Sequence, residues 1–239
     1  MLLFYVRHGD PIYNPDSLTA KGFMQAEAVA KRLALYGIDE IYSSTSNRAV
    51  LTATPTSRIL KKNITKLDFC NESHVWDFLT VTDENGNNRH WCYQDDELLK
   101  LFFTDEIYYL RNSWYEHPAF EKYNFNKEGC DNLKKSCDDF LQSLGFSKNC
   151  DGTYKVVKPN SDRVALFAHE GFGMFFLSNL LNIPYPLFSS RFGLSHSGVT
   201  VIHFDEKKEI TTPYLLTLSN DSHLYKEGLS TKYNNEFLF

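Results

Sequence analysis

Three short clusters in this chain combine residue types that could hold an anion and attack it: Arg7-His8-Gly9, the run Ser43 to Arg48 (S-S-T-S-N-R), and His169-Glu170-Gly171. An imidazole can act as nucleophile or base near neutral pH. A guanidinium offers oxyanions a planar, permanently charged fork. Alone, an Arg-His pair is as commonly structural as functional, and an arginine at a helix start is as commonly a solvated surface residue. Two histidines and two arginines, Arg7 and Arg48, spread over three such places are harder to assemble by accident.

The elements around the clusters are those that would bring them together. Residues 2–6 (LLFYV) read as a strand covered on both faces. Thr19 caps a predicted helix over 20–36, with Phe23, Ala26, Ala30 and Leu33 at helical spacing and Gly37 as its stop. A second strand, 38–42, leads to a helix capped by Ser46 or Asn47, which Pro55 should kink or split before Lys62. A third strand covers 64–69. From 70 to 150 the pattern turns to aromatic, amphipathic helical pieces, with Asp83–Asn88 (DENGNN) as a loop. Strand 163–168, helix 172–181 and strands 199–204 and 214–218 complete the chain. This order predicts an α/β three-layer sandwich with a mostly parallel central sheet flanked by helices, one domain over 1–239 carrying a largely helical insertion at 70–150. Ligand sites in such folds lie where parallel strands end, just after residues 6, 42 and 168.

Composition excludes several other classes. The 239 residues are 42% hydrophobic and 15% aromatic, which is globular rather than disordered or low-complexity. The net charge of −5 and the lack of a basic block leave no basis for a nucleic-acid or acidic-membrane partner. No apolar run approaches the roughly 18 residues of a membrane span, and MLLFYV ahead of Arg7 reads as a strand rather than a signal peptide. Five cysteines without C-x-x-C spacing point to reduced thiols and a cytoplasmic setting. No histidine pair has zinc-protease spacing.

These clusters, in this order, resemble the histidine phosphatase superfamily with its phosphoglycerate-mutase-like fold. The matching pieces are V-R-H-G at 6–9, Asn14, L-T-x-x-G-x-x-Q-A at 18–26, S-S-x-x-x-R-A-x-x-T-A at 43–53 and A-H-E-G at 168–171. The resemblance covers roughly the first 70 and last 80 residues and little of 70–150. It implies a metal-independent, cofactor-free phosphomonoester hydrolase acting on a small phosphorylated metabolite. His8 would form a phosphohistidine, its other ring nitrogen fixed by a backbone carbonyl. Arg7, Arg48 and His169 would hold the phosphoryl oxygens, with Asn14 either donating to the phosphate or shaping the turn beside Pro15. The general acid is Glu72, soon after the third strand, or Glu170, beside the second histidine, with Asp77 a further position; Asp10 reads as a solvated loop acid. Either residue of His196-Ser197 could line the site, and Trp76, Arg89, His90, Trp91, Arg111 and Trp114 are candidates for a substrate lid. A phosphoglycerate mutase and a non-catalytic phosphate-binding protein are the alternatives. Glu170-Gly171 stands where the cofactor-dependent mutases carry Gly-Asn, which weighs against the first.

Overall fold

The computed structural model describes residues 1–82, 86, 88–123, 125, 127–233 and 237–238. Most of the 83–88 loop therefore lies outside the described residues. Six strands form the main sheet: β1 (Leu2–Arg7), β2 (Glu40–Ser44), β3 (Ile64–Leu67), β4 (Arg163–Ala168), β5 (Val199–His203) and β6 (Tyr214–Asn220). Their order is β6-β5-β1-β4-β2-β3, and β1, β4, β2 and β3 pair in parallel while β5 runs against both neighbours. The sheet is thus mostly parallel.

The central strands are apolar along their length because both faces are covered. In β1, Phe4 and Val6 face a core shared with helices α1 (Ala20–Tyr36) and α2 (Asn47–Leu60). Leu3 and Tyr5 point the other way, into a larger core with α3 (Glu72–Phe78), α4 (Lys127–Ser143) and α5 (Glu170–Leu181). This two-residue alternation sets helices on both sides and gives the three layers.

Two helical expectations change. Phe23 is 45% exposed, and the buried face of α1 is Gly22, Gln25, Ala26, Val29, Ala30 and Leu33. Backbone crowding moved the face by one residue: a Cβ on Gly22 would strike the Asp10 carbonyl, so this glycine, not Phe23, meets the β1 loop. Helix α2 runs unbroken through Pro55, which is itself buried. One missing backbone donor costs less than exposing the apolar face that α2 packs against the sheet and α1.

The stretch 70–150 is mainly short helices, with a small hairpin pairing Thr80–Thr82 with Arg89–Trp91. Its Phe102, Trp114 and Phe120 sit in the larger core beside Phe175 and Tyr185. No helix among the described residues is long and apolar enough to cross a membrane.

Candidate active site

Strand register assembles the site. In the parallel pairing of β1 with β4, Arg7 stands opposite Ala168, so the next residues, His8 and His169, emerge side by side. The His8 amide extends the ladder to the Ala168 carbonyl at 2.9 Å, and the two rings lie 5.1 Å apart. Pairing of β4 with β2 sets Phe167 against Ser43, which carries the following serines to His169: its Nε2 is 2.9 Å from Ser44 Oγ and 3.2 Å from Ser46 Oγ. Antiparallel β5 begins at the same edge, and the Ser197 amide donates to the His8 carbonyl at 3.1 Å.

The loop after β1 is held by residues of the two sequence motifs nearest it. Thr19 caps Gly22 and donates to Asp10 Oδ2 at 2.8 Å, while the buried Gln25 accepts from the Asp10 amide at 2.7 Å. Thr52, one turn beyond Arg48 on α2, accepts from the Gly9 amide at 3.0 Å. His8 therefore sits on a loop whose backbone donors are all engaged. Its Nδ1 lies 2.7 Å from the Gly9 carbonyl, which can only accept, so Nδ1 carries the proton and Nε2 keeps its lone pair.

Arg48 reaches three partners with three different nitrogens. Nε donates to His8 Nε2 at 3.3 Å, one terminal nitrogen to Asp16 Oδ1 at 3.0 Å, and the other to Glu72 Oε2 at 3.5 Å. Arg7 is buried, donates to the Leu194 carbonyl and pairs with Glu170 Oε2 at 3.0 Å. Glu170 Oε1 in turn accepts from the Leu194 amide at 3.2 Å, so this carboxylate serves Arg7 and the 194 loop. Glu72, capped into α3 by Asn71, accepts from the Gly171 amide at 2.7 Å and lies 3.6 Å from His169 Nδ1.

Burial governs the titration of these groups. It holds His8 well below the usual imidazole range, and Arg7 and Arg48 add to the effect. His169 is lowered in the same way, by burial and then by His8 and the two arginines. Burial raises the Glu72 carboxyl, against the opposing pull of Arg48, Arg7 and the Gly171 amide. His169 Nδ1 has no hydrogen-bond partner among the described residues, and a buried polar atom left so costs about 1–3 kcal/mol. Two guanidiniums, an unpaired ring nitrogen and a helix start at Glu170 suit an anion. His8, Glu72 and His169 also bring metal-capable atoms within 4.8 Å of one another. A cation there would compete with Arg48 for the His8 lone pair and sit beside two positive side chains, so the donor set fits an anion better.

Several expected residues stand elsewhere. Asn14 is exposed at the tip of the Pro11–Tyr13 and Asp16–Leu18 hairpin. That is the turn reading of Asn14; from the same hairpin Asp16 reaches Arg48 and accepts from the Asn47 amide at 2.7 Å, and Tyr13 lies under the Arg48 guanidinium at 5.4 Å. In sequence both look like ordinary hairpin residues. Asp10 is buried rather than solvated, bound to Thr19 and to Lys232 Nζ at 2.7 Å, because α1 and the C-terminal segment close over it. His196 does approach the site, 5.7 Å from the His8 ring. Of the lid candidates, Trp76 and Trp91 line a cavity next to Arg48 and Glu72. Trp114 belongs to the core, packed between Phe102, Phe120 and Tyr185, whereas Arg111 is exposed and His90 pairs with Asp95.

The buried histidines make a pH prediction. His8, His169, His196 and His223 are all lowered by burial first, His223 to about 3 with Arg32 contributing. Below roughly pH 6.5 the unfolded chain binds protons on all four that the native state refuses, so stability falls on acidification. Each contributes at most about 1.4 kcal/mol per pH unit. Glu72, raised in the native state, works in the opposite sense between its unfolded and its native pKa. The urea midpoint should drop steadily from pH 7 to pH 5; a flat midpoint over that range would contradict the assignment.

The molecule is thus an α/β protein whose mostly parallel sheet presents paired histidines and arginines at its strand ends. Residues 3–98 match the family model "Histidine phosphatase superfamily (branch 1)". No curated protein matches the chain by sequence. Among solved structures it is similar to an Entamoeba histolytica phosphoserine phosphatase in complex with 3-phosphoglyceric acid (20% identity, 93% of this chain and 98% of that one, TM-score 0.58). It is also similar to a mycobacterial glucosyl-3-phosphoglycerate phosphatase in complex with VO3 (17% identity, 92% and 98%, TM-score 0.57). A third is an alpha-ribazole phosphatase from Shigella flexneri (16% identity, 92% and 97%, TM-score 0.58).

Proposed function

We propose that this protein is a metal-independent phosphomonoester hydrolase working through a phosphohistidine. The observation that carries the reading is the state of His8: Nδ1 is tied to the Gly9 carbonyl, and the Nε2 lone pair faces the space between Arg48, Glu72 and His169. A neutral imidazole held in that tautomer is a competent nucleophile at neutral pH, and its lowered pKa keeps it so.

His8 Nε2 attacks phosphorus while the bond to the leaving oxygen breaks. Arg7, Arg48 and His169 bear the charge on the phosphoryl oxygens. The leaving oxygen takes the proton of Glu72, whose raised pKa suits an acid. Water then attacks the phosphohistidine, Glu72 accepts its proton, and inorganic phosphate leaves with His8 restored. Glu72 is preferred to Glu170 because the latter is committed to Arg7 and the Leu194 amide. Asp77 is on the solvent side of α3, paired with Arg89.

The test is hydrolysis of an alkyl phosphate and of p-nitrophenyl phosphate by wild type and Glu72→Gln, with and without EDTA. Activity should survive EDTA. In kcat/KM, which reports only the steps through transfer to His8, the variant should lose about 10²–10⁴-fold on the alkyl ester and far less on p-nitrophenyl phosphate, whose leaving group needs little protonation. Wild-type turnover of the alkyl ester should decline as pH rises through the Glu72 pKa, since only the protonated form donates. Equal losses on both esters would remove Glu72 as the acid. Phosphate binding without any turnover would favour a binding protein.

A further inference from the structure

The cavity beside the histidine pair has aromatic walls. Tyr13, Trp76 and Trp91 line a space of about 510 Å³ together with Arg48, Glu72, Asn71 and Ser73. Arg48 and Glu72 line this space and also reach His8 and His169, so it adjoins the histidine pair. The two tryptophans meet edge to face at 4.9 Å, and Tyr93 stacks on Trp91 at 6.0 Å. A Cβ on Gly171 would strike the Trp91 ring, so the bare start of α5 is what lets this indole lie against it. Trp91 is therefore a wall fixed from two sides.

The charges around the cavity are already matched. Arg48 is the cation among the described lining residues, and its three donating nitrogens face His8, Asp16 and Glu72. Arg89 lies over the Trp76 ring at 5.6 Å and donates to the Trp76 and Asp77 carbonyls. His74 is paired with Asp68. A leaving group with its own carboxylate or second phosphate would meet Glu72 and Asp16 with no further cation among the lining residues to balance it. An uncharged, flat leaving group would instead gain ring contacts with Tyr13, Trp76 and Trp91, plus polar contacts from Asn71 and Ser73.

We infer that this cavity receives the leaving group, and that the substrate class is a phosphomonoester of an uncharged alcohol bearing an aromatic or similarly flat ring. The inference rests on the phosphatase reading above. It is tested with three alkyl esters of comparable leaving ability: 2-phenylethyl phosphate, n-butyl phosphate and phosphoserine. For wild type, kcat/KM should favour the phenylethyl ester over each of the others by about tenfold, the scale of one good aromatic contact. Trp76→Leu should collapse the phenylethyl-to-butyl ratio, and Trp76→Phe should restore much of it.

Binding of 2-phenylethylphosphonate and n-butylphosphonate, followed by tryptophan fluorescence, reads the cavity without turnover. Equal kcat/KM for the three esters, or a preference for phosphoserine, overturns the aromatic site and leaves the hydrolase standing. Absence of turnover with selective binding of the phenylethylphosphonate overturns the hydrolase and supports the cavity assignment. Neither turnover nor selective binding overturns both.

Discussion

His8→Ala should give a folded protein that hydrolyses phosphomonoesters on the order of 10⁴–10⁶-fold more slowly than wild type, the loss expected when a covalent nucleophile is removed from an otherwise intact site. Arg7, Arg48 and His169 would still face bound phosphate, so binding should outlast turnover. The structural cost is modest. The buried Gly9 carbonyl loses the His8 Nδ1 donor, worth about 1–3 kcal/mol. At acid pH the variant also sheds one of the four buried imidazoles that resist protonation, so its urea midpoint should fall less steeply from pH 7 to pH 5 than that of wild type. Rapid quenching of wild type with labelled substrate should trap an acid-labile phosphoenzyme that the variant does not form. Near-normal turnover in a correctly folded variant would remove His8 as nucleophile.

Arg48→Ala should be nearly as damaging and should leave a second mark. Losing a charge-assisted contact in the transition state costs about 3–4 kcal/mol, or roughly 10²–10³ in rate. Arg48 is also the main influence holding the Glu72 pKa down against burial. Without it, Glu72 should stay protonated to higher pH, and the alkaline decline in alkyl-ester turnover should move upward. Arg48→Lys should not rescue the rate. The native side chain serves His8, Asp16 and Glu72 with separate nitrogens in one plane, a geometry that a single ammonium cannot reproduce. A pH profile unchanged in Arg48→Ala would show that Arg48 and Glu72 are not coupled as the 3.5 Å contact implies.

The amino-acid sequence alone was enough to place the sheet-forming strands along an interrupted α/β pattern and to single out Arg7, His8, Arg48 and His169, which stand close together in the structure; the family resemblance added Glu72, with Glu170 as the alternative acid. Those residues were legible because each sits on or just after a strand or at a helix start, where local signals are strong: apolar runs, caps and turn formers. The motifs also encode their own support. Thr19, Gly22 and Gln25 clamp the loop that carries His8, and Thr52 completes the clamp from the helix that carries Arg48. Of the two readings of Asn14, the turn beside Pro15 is the one its place at the hairpin tip fits; which residues of that hairpin meet Arg48 depends on how the turn folds back, and they are Asp16 and Tyr13. Asp10 and Phe23 depart from expectation for a related reason. Burial at the edge of an element is decided by what packs across it, here α1 and Lys232 over Asp10, and the close approach of Gly22 that turns Phe23 outward. Strand register alone made neighbours of residues 161 positions apart, His8 and His169, and only tertiary packing separated Trp76 and Trp91 on the cavity wall from Trp114 in the core. An aromatic side chain carries the same local signal in either place, and its role follows from the surface it finally meets.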